Sequence, residues 1–221
     1  MVNLKNRKIS VPHIVVRYLN TIKDDLKINY SDYPTEFYYN YDSKLNSKYN
    51  IPENYYCISL GATHFTKRIP NKVLQNIIQK IDFPVVLIGG DDVLTQSEEL
   101  TLNNPSKILN LCGKLSIKQS AQIIDKSELI ITADTGTMHI AAALNKKIHV
   151  LWGNTTPAFG MYPYIVDGSN KPFNYEVALN CRPCSKIGFK KCPKGNFKCM
   201  LDQDDSLISK NIQLQINQSI I

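Results

Sequence analysis

Residues 129–164 of the 221-residue chain read LIITADTGTMHIAAALNKKIHVLWGNTTPAFGMYPY. The apolar run Leu129–Ile131 predicts a buried strand, and the small polar residues Asp134–Gly136 indicate a turn. Apolar residues at helical spacing follow over 138–144, and Ile148–Trp152 predicts a second strand. Together these elements make a βαβ unit. Its turn sets a helix N-terminus at the carboxyl edge of a parallel sheet, where α/β proteins bind anions and nucleotides.

The chain before this unit repeats the same alternation. Short apolar runs predict strands over Tyr55–Leu60, Val85–Ile88 and Ile108–Leu111. Amphipathic stretches predict helices over 71–81, 95–102 and 116–126, the last with Ser116 as its N-cap. Because strands and helices alternate through short polar turns, the sequence predicts an α/β fold with a doubly wound parallel sheet.

The two ends of the chain show weaker patterns. Apolar spacing predicts an amphipathic helix from Ile14 to Ile22 that ends near Asp24–Asp25. Thr35–Tyr39 has the composition of a short strand, within a segment rich in Tyr, Asn, Asp and Ser. Val166–Asn180 is interpreted as a loop, and Asp204–Ile216 predicts a terminal helix.

The charge of the chain is concentrated in one place. The formal net charge is +7, and six basic residues without an acid lie between Cys181 and Cys199. Such a stretch indicates either a solvated loop or an anionic partner: a nucleotide, a phosphorylated lipid head, a membrane surface or a nucleic acid. No apolar run approaches the length of a membrane span, and Met1–Arg7 does not begin a signal peptide. The expected location is therefore the cytoplasm.

The cysteines fall into two groups. Cys57 and Cys112 lie in or beside predicted strands, where a thiol behaves as a small apolar side chain. The other four share the basic stretch, with the spacing C-x2-C-x7-C-x6-C: Cys181, Cys184, Cys192 and Cys199. Four thiolates among lysines suit a tetrahedral structural zinc ion. The second pair is more widely spaced than in a standard zinc ribbon, so free or disulfide-paired thiols remain the alternative.

Three predicted turns meet at the carboxyl edge of the sheet and could bind a nucleoside diphosphate. Lys67 follows the first strand and can reach a phosphate, and the helix that begins near Gly136 offers free N–H groups. Asp91 or Asp92 can accept hydrogen bonds from ribose hydroxyls. The alternatives are a surface lysine, a helix cap at Asp134–Thr135, and a core histidine at His139.

The same residues carry a resemblance. The segment 134–164 resembles the C-terminal signature of glycosyltransferase family 9, the lipopolysaccharide heptosyltransferases, at Asp134, Gly136, His139, Ala141–Ala142 and the Gly153-x-Thr155-x-Pro157 turn. The resemblance extends over residues 8–205. It implies the Rossmann-like, donor-binding half of a GT-B glycosyltransferase. It also implies inverting transfer from an ADP-heptose-like donor to a lipopolysaccharide-type acceptor, with no cofactor required for transfer.

The resemblance also assigns the donor-binding residues. In the family, matching positions contact the nucleotide and its sugar, here Thr63, Lys67, Asp91, Leu115, Asp134, Thr135, Gly136 and His139. The family motif around Thr63 is one residue longer in some members, and many members have Glu where this chain has Asp91. The position of Leu115 packs on adenine in the family; without the resemblance, Leu115 would be interpreted as core.

The N-terminal segment resembles the end of the family's first domain. His13 and Arg17-Tyr18-Leu19 match a helix that closes that domain, so residues 1–50 are expected to be its remnant and linker. The nucleotide-sugar domain is expected over 51–166, and the basic Cys loop and C-terminal helix over 167–221. The general base of the family belongs to the first domain. No acid in residues 1–50 matches it, and no catalytic residue is assigned here.

The expected partners follow from this interpretation. They are the nucleotide-sugar donor, the lipopolysaccharide-type acceptor, the inner membrane face as a peripheral surface, and either a second copy or a separate N-terminal-domain chain. Two alternative functions stay open. One is a non-catalytic sugar-nucleotide-binding module or half of a split enzyme. The other, less favoured, is a nucleic-acid-binding protein that uses the basic Cys loop and would bind with steep salt dependence.

Overall fold

A six-stranded parallel sheet forms the centre of the computed structural model, which describes residues 11–22, 27, 29, 33–166, 168 and 170–219. Its strands are β1 (Tyr56–Ser59), β2 (Val85–Ile88), β3 (Ile108–Asn110), β4 (Ile130–Ala133), β5 (Ile148–Trp152) and β6 (Phe173–Glu176). They lie in the order β3-β2-β1-β4-β5-β6. The direction of winding therefore reverses between β1 and β4, and doubly wound folds bind ligands outside the strand ends at this point.

Helices cover both faces of the sheet. They are α1 (Ile14–Leu19), α2 (Leu45–Tyr49), α3 (Asn71–Lys80), α4 (Leu94–Asn103), α5 (Ile117–Lys126), α6 (Gly136–Ala143), α7 (Lys198–Leu201) and α8 (Asp205–Ser219). One core layer contains apolar side chains of α3, α4, α7 and α8, and the other contains those of α2, α5 and α6. Neighbouring strand residues alternate between the layers; Tyr56 and Ile58 pack on one side and Cys57 on the other. The predicted α/β fold and doubly wound sheet are confirmed.

A local signal places the start of α5 correctly. Ser116 caps α5 through a reciprocal capping box: its hydroxyl accepts from the Gln119 amide at 3.3 Å, and the Gln119 side chain accepts from the Ser116 amide at 3.0 Å. This pair satisfies two amides that a helix N-terminus leaves free.

No helix in the described part of the chain is both long enough and apolar enough to cross a bilayer.

Three predictions at the ends are wrong. α1 ends at Leu19, before Ile22, and Asp24–Asp25 lies outside the described residues. Thr35–Tyr39 forms no strand; side chains tether this segment instead, with the Tyr39 hydroxyl donating to Asp125 at 2.6 Å. The expected loop over 166–180 contains β6, an edge strand of the same sheet. β6 has only two core-side residues, Phe173 and Tyr175, which is too short a pattern to identify a strand.

His149 joins the last strands to the C-terminal helix. Its side chain is fully buried in β5, where Nδ1 accepts from the Tyr175 hydroxyl at 2.8 Å and Nε2 donates to Gln215 Oε1 at 2.9 Å. The Phe173 ring stacks on it at 5.0 Å between centroids. Burial lowers the pKa of His149 to about 4, against the opposing effect of the Gln215 hydrogen bond. The histidine is therefore neutral in the folded protein at pH 7.

We predict that acid destabilises the fold through this residue. Between pH 6.5 and about 4 the unfolded His149 binds a proton that the folded one does not, so the free energy of unfolding decreases as pH falls. The loss over this interval is about 3 kcal/mol at most. Chemical denaturation across this pH range measures it. His149→Gln, which cannot titrate, is expected to give a shallower dependence; an unchanged slope would contradict the assignment.

Candidate functional site

A cleft of about 310 Å³ opens at the carboxyl edge of the sheet, where the winding reverses. The turns after β1 and β2 contribute Gly61 and Gly89–Gly90, and the helix side contributes Leu115 and Thr135–Gly136. Gly61 has a φ of +86°, a conformation that side-chain-bearing residues rarely adopt. Because glycines line this side, the backbone can approach a ligand closely.

Four hydroxyl groups form a network at the cleft, and three of them, those of Ser59, Thr135 and Thr137, belong to residues that line it. The Ser59 hydroxyl at the end of β1 lies 2.7 Å from that of Thr137, which lies 2.8 Å from that of Thr135. Thr132 of β4 lies 3.3 Å from both threonine hydroxyls. This network ties the first turn of α6 to the end of β1. Sequence reasoning missed Ser59 and Thr137; the available signal was a hydroxyl residue at the end of β1 and another in the first turn of α6, which follows the neighbouring strand β4.

The first turn of α6 faces open space. Thr135 occupies the N-cap position, but its side chain accepts no hydrogen bond from the helix amides. A Cβ added at Gly136 would meet no atom within 4 Å. The capping role considered for Thr135 is therefore not observed. The free amides and the positive end of the helix dipole point to an anion site beside the cleft.

An ion pair stands next to this helix start. Lys67 Nζ and Asp134 Oδ2 are 2.8 Å apart, and their side chains are only 16% and 9% exposed. The pair joins the loop after β1 to the loop after β4. Burial lowers the pKa of His139; Asp134 opposes this shift and Lys67 adds to it. His139 is therefore close enough to the pair for both charges to affect its pKa. The lowered pKa leaves His139 mainly neutral at pH 7.

The structure brings together most, but not all, of the predicted donor-binding residues. Leu115, Thr135 and Gly136 line the cleft, and Lys67, Asp134 and His139 form the adjacent polar group. Thr63 and Asp91 are exposed and are not among the residues that line the cleft. The Asp91 carboxylate instead approaches the position that a Cβ of Gly113 would occupy. Asp92, the other residue expected to hydrogen-bond ribose, forms an ion pair with Arg68.

Comparison with known proteins decides the family. The sequence profile of glycosyltransferase family 9 (heptosyltransferase) matches residues 1–190. The chain belongs to this family. Lipooligosaccharide heptosyltransferase 2 of Campylobacter jejuni is 27% identical over 202 residues, which are 88% of this chain and 61% of the relative. The family 9 chain thus spans about three fifths of the length of this relative.

Solved structures agree on the fold. A family 9 glycosyltransferase from Veillonella parvula has a TM-score of 0.76 at 16% identity. The superposition covers 96% of this chain and 62% of the Veillonella parvula chain. The dodecameric iron-containing heptosyltransferase TibC, solved in complex with ADP-D-beta-D-heptose, has a TM-score of 0.56 at 17% identity. That superposition covers 77% of this chain and 47% of the TibC chain. The expected family and its GT-B type of Rossmann-like domain are confirmed.

The Cys loop, residues 181–199, packs against the turn that carries Lys67. The Thr66 amide donates to the Phe189 carbonyl at 3.2 Å, and the Phe189 amide donates to the Thr66 hydroxyl at 2.8 Å. Gly188 has a φ of +131°, and a Cβ there would lie 2.5 Å from that of His64. The loop therefore fixes the residues immediately before Lys67. The sequence carries no local signal for this contact, because the partners are 123 positions apart.

The four cysteines of the Cys loop lie near one another as free thiols. Burial raises the pKa of Cys199 to about 11. Burial alone would raise the pKa of Cys192 as well, but backbone N–H groups of residues 194–197 lower it. In the described ranges, no three His, Cys, Asp or Glu side chains are arranged to hold a metal ion. The zinc site at Cys181, Cys184, Cys192 and Cys199 stays a prediction.

Metal analysis tests this prediction. Protein purified without chelators is expected to contain about one zinc per chain, bound by four thiolates. Cys192→Ser should lose the metal because it removes one ligand, whereas Cys112→Ser, outside the loop, should retain it. Metal-free protein with an ordered loop would reject the site, and sulfur atoms at bonding distance would indicate disulfides instead.

Proposed function

We propose that this chain binds the nucleotide-activated sugar of a heptosyl transfer, an ADP-heptose-like donor, for inverting transfer to a lipopolysaccharide-type acceptor. The observation that carries the proposal is the Lys67–Asp134 pair beside the open first turn of α6. The similarity to the heptosyltransferase of Campylobacter jejuni and to TibC, which was solved with ADP-D-beta-D-heptose, supports this substrate class. The whole reaction remains a proposal because the chain spans only part of its relatives.

In this proposal each part of the donor has its own partners. The adenine packs beside Leu115 in the cleft, and Asp91 and Thr63 contact the ribose and phosphates from its rim. The diphosphate lies between Lys67 and the first-turn amides of α6. Asp134, released from Lys67, accepts hydrogen bonds from sugar hydroxyls, and neutral His139 can donate one.

The same groups act on the leaving diphosphate. An acceptor hydroxyl attacks the anomeric carbon, the glycosidic bond to phosphate breaks, and negative charge collects on the departing diphosphate. Lys67 and the amides of the α6 N-terminus are preorganised to stabilise that charge without a metal ion. The proton of the acceptor hydroxyl needs a general base, and no residue of this chain is assigned that role.

Removal of the lysine tests donor binding. Lys67→Ala is expected to weaken ADP binding roughly ten- to a hundredfold, because a charge-assisted contact to phosphate contributes about 1.5–3 kcal/mol. Isothermal titration calorimetry measures the change. Lys72→Ala removes an exposed lysine of α3 and should bind ADP as the wild type does. Equal affinity of Lys67→Ala and wild type would refute the assignment.

Transfer by the chain alone is expected to be negligible. No residue of this chain is assigned as the general base, and general-base catalysis typically supplies about 10²–10⁴-fold. The assay offers ADP-heptose and a deacylated lipopolysaccharide core to the purified chain, with and without a separately expressed first domain. Activity restored by mixing would support the split enzyme. Efficient transfer by the chain alone would contradict the proposed division of roles.

A further inference from the structure

The Cys loop presents a strongly basic face to solvent. Five of its lysines are exposed: Lys186, Lys190, Lys191, Lys194 and Lys198. The loop contains no acid, and none of the five makes an ion pair with another described residue. The sixth basic residue, Arg182, is different, because its side chain is only 7% exposed and forms an ion pair with Glu176. Within the described part of the chain, none of the five lysines is thus paired with a carboxylate.

Apolar side chains stand among these lysines. Ile187 is 65% exposed, Phe189 is 37% exposed, and Phe65 of the contacting turn is 47% exposed. A single exposed apolar residue is ordinary on a protein surface, but a group set among lysines without a carboxylate partner indicates an interaction site. We name the five lysines with Ile187, Phe189 and Phe65 the lysine-rich tip.

The tip is held on an ordered base. The Arg182 guanidinium donates to the Gly153 carbonyl at 2.6 Å and to the Thr155 carbonyl at 2.7 Å. The Phe65 and Phe197 rings pack with centroids 5.0 Å apart. Since the backbone is already fixed, docking through the tip costs less conformational entropy than docking through a free tail.

We propose that the lysine-rich tip docks this protein on an anionic lipid bilayer. The lysines lie at the level of the headgroup phosphates, and Ile187, Phe189 and Phe65 enter the boundary between headgroups and acyl chains. A bilayer fits better than a nucleic acid because Ile187, the most exposed of the three, has no ring to stack on a base. The proposal does not depend on the donor-binding function.

Docking would also position the candidate site. Phe65 is two residues before Lys67, and Thr66 bonds to Phe189 of the tip. The turn that carries Lys67 is therefore part of the docking surface. A lipid-linked acceptor in the same bilayer would meet the protein from this side.

Vesicle sedimentation tests the proposal. The full chain is expected to bind vesicles of equal parts phosphatidylcholine and phosphatidylglycerol, and to bind pure phosphatidylcholine vesicles poorly. Lys190→Ala with Lys191→Ala should weaken binding roughly twenty-five-fold, because each lysine contributes about fivefold at an anionic surface. Ile187→Ser should weaken it about threefold or more, because it removes inserted apolar area.

Matched variants keep the test specific. Lys72→Ala with Lys210→Ala removes the same charge from exposed positions on α3 and α8, and Leu102→Ser removes an apolar side chain that is 81% exposed on α4. Both should bind as the wild type does. Equal binding to neutral and anionic vesicles, or equal losses in test and control variants, would overturn the proposal. So would tight binding to duplex DNA or RNA that depends on Lys190 and Lys191 but not on Ile187, without binding to vesicles.

Discussion

The candidate site depends on one ion pair, Lys67–Asp134, placed where two neighbouring strands end. Both side chains are mostly buried, so neither charge is stable without a partner. Lys67 needs either Asp134 or an anionic ligand beside it. The surrounding structure fixes both ends of the pair. The Cys loop bonds to Thr66 and holds the turn of Lys67, and hydroxyl contacts tie Thr137, in the first turn of α6, to β1. In the proposed function, a nucleoside diphosphate replaces Asp134 as the partner of this cation.

Much of this arrangement could be predicted from the sequence. Local patterns identify the strands, and the parallel topology then determines where the turns between strands and helices lie. Once apolar runs identify parallel strands, the turns after β1, β2, β3 and β4 must meet at one edge. Lys67, Leu115 and Asp134 are therefore brought to one region although they are far apart in the chain. The N-cap at Ser116 was predictable for a simpler reason, since its capping box is entirely local.

The parts that sequence reasoning missed depend on contacts without a local pattern. The strand β6 pairs with β5 at the sheet edge, and only Phe173 and Tyr175 reach the core. The contact between the Cys loop and Thr66 joins segments distant in sequence. Asp91 and Thr63 match the family in sequence, but both are exposed and neither lines the cleft. Their role depends on side-chain positions that spacing alone does not determine.

A crystal structure of the chain with ADP tests the central claim most directly. The account predicts that adenine lies beside Leu115 and that Lys67 Nζ exchanges Asp134 for a phosphate oxygen. The diphosphate should also accept hydrogen bonds from the first-turn amides of α6. A complex in which the Lys67–Asp134 pair stays intact while the diphosphate binds elsewhere, for example at the lysines of the Cys loop, would contradict it.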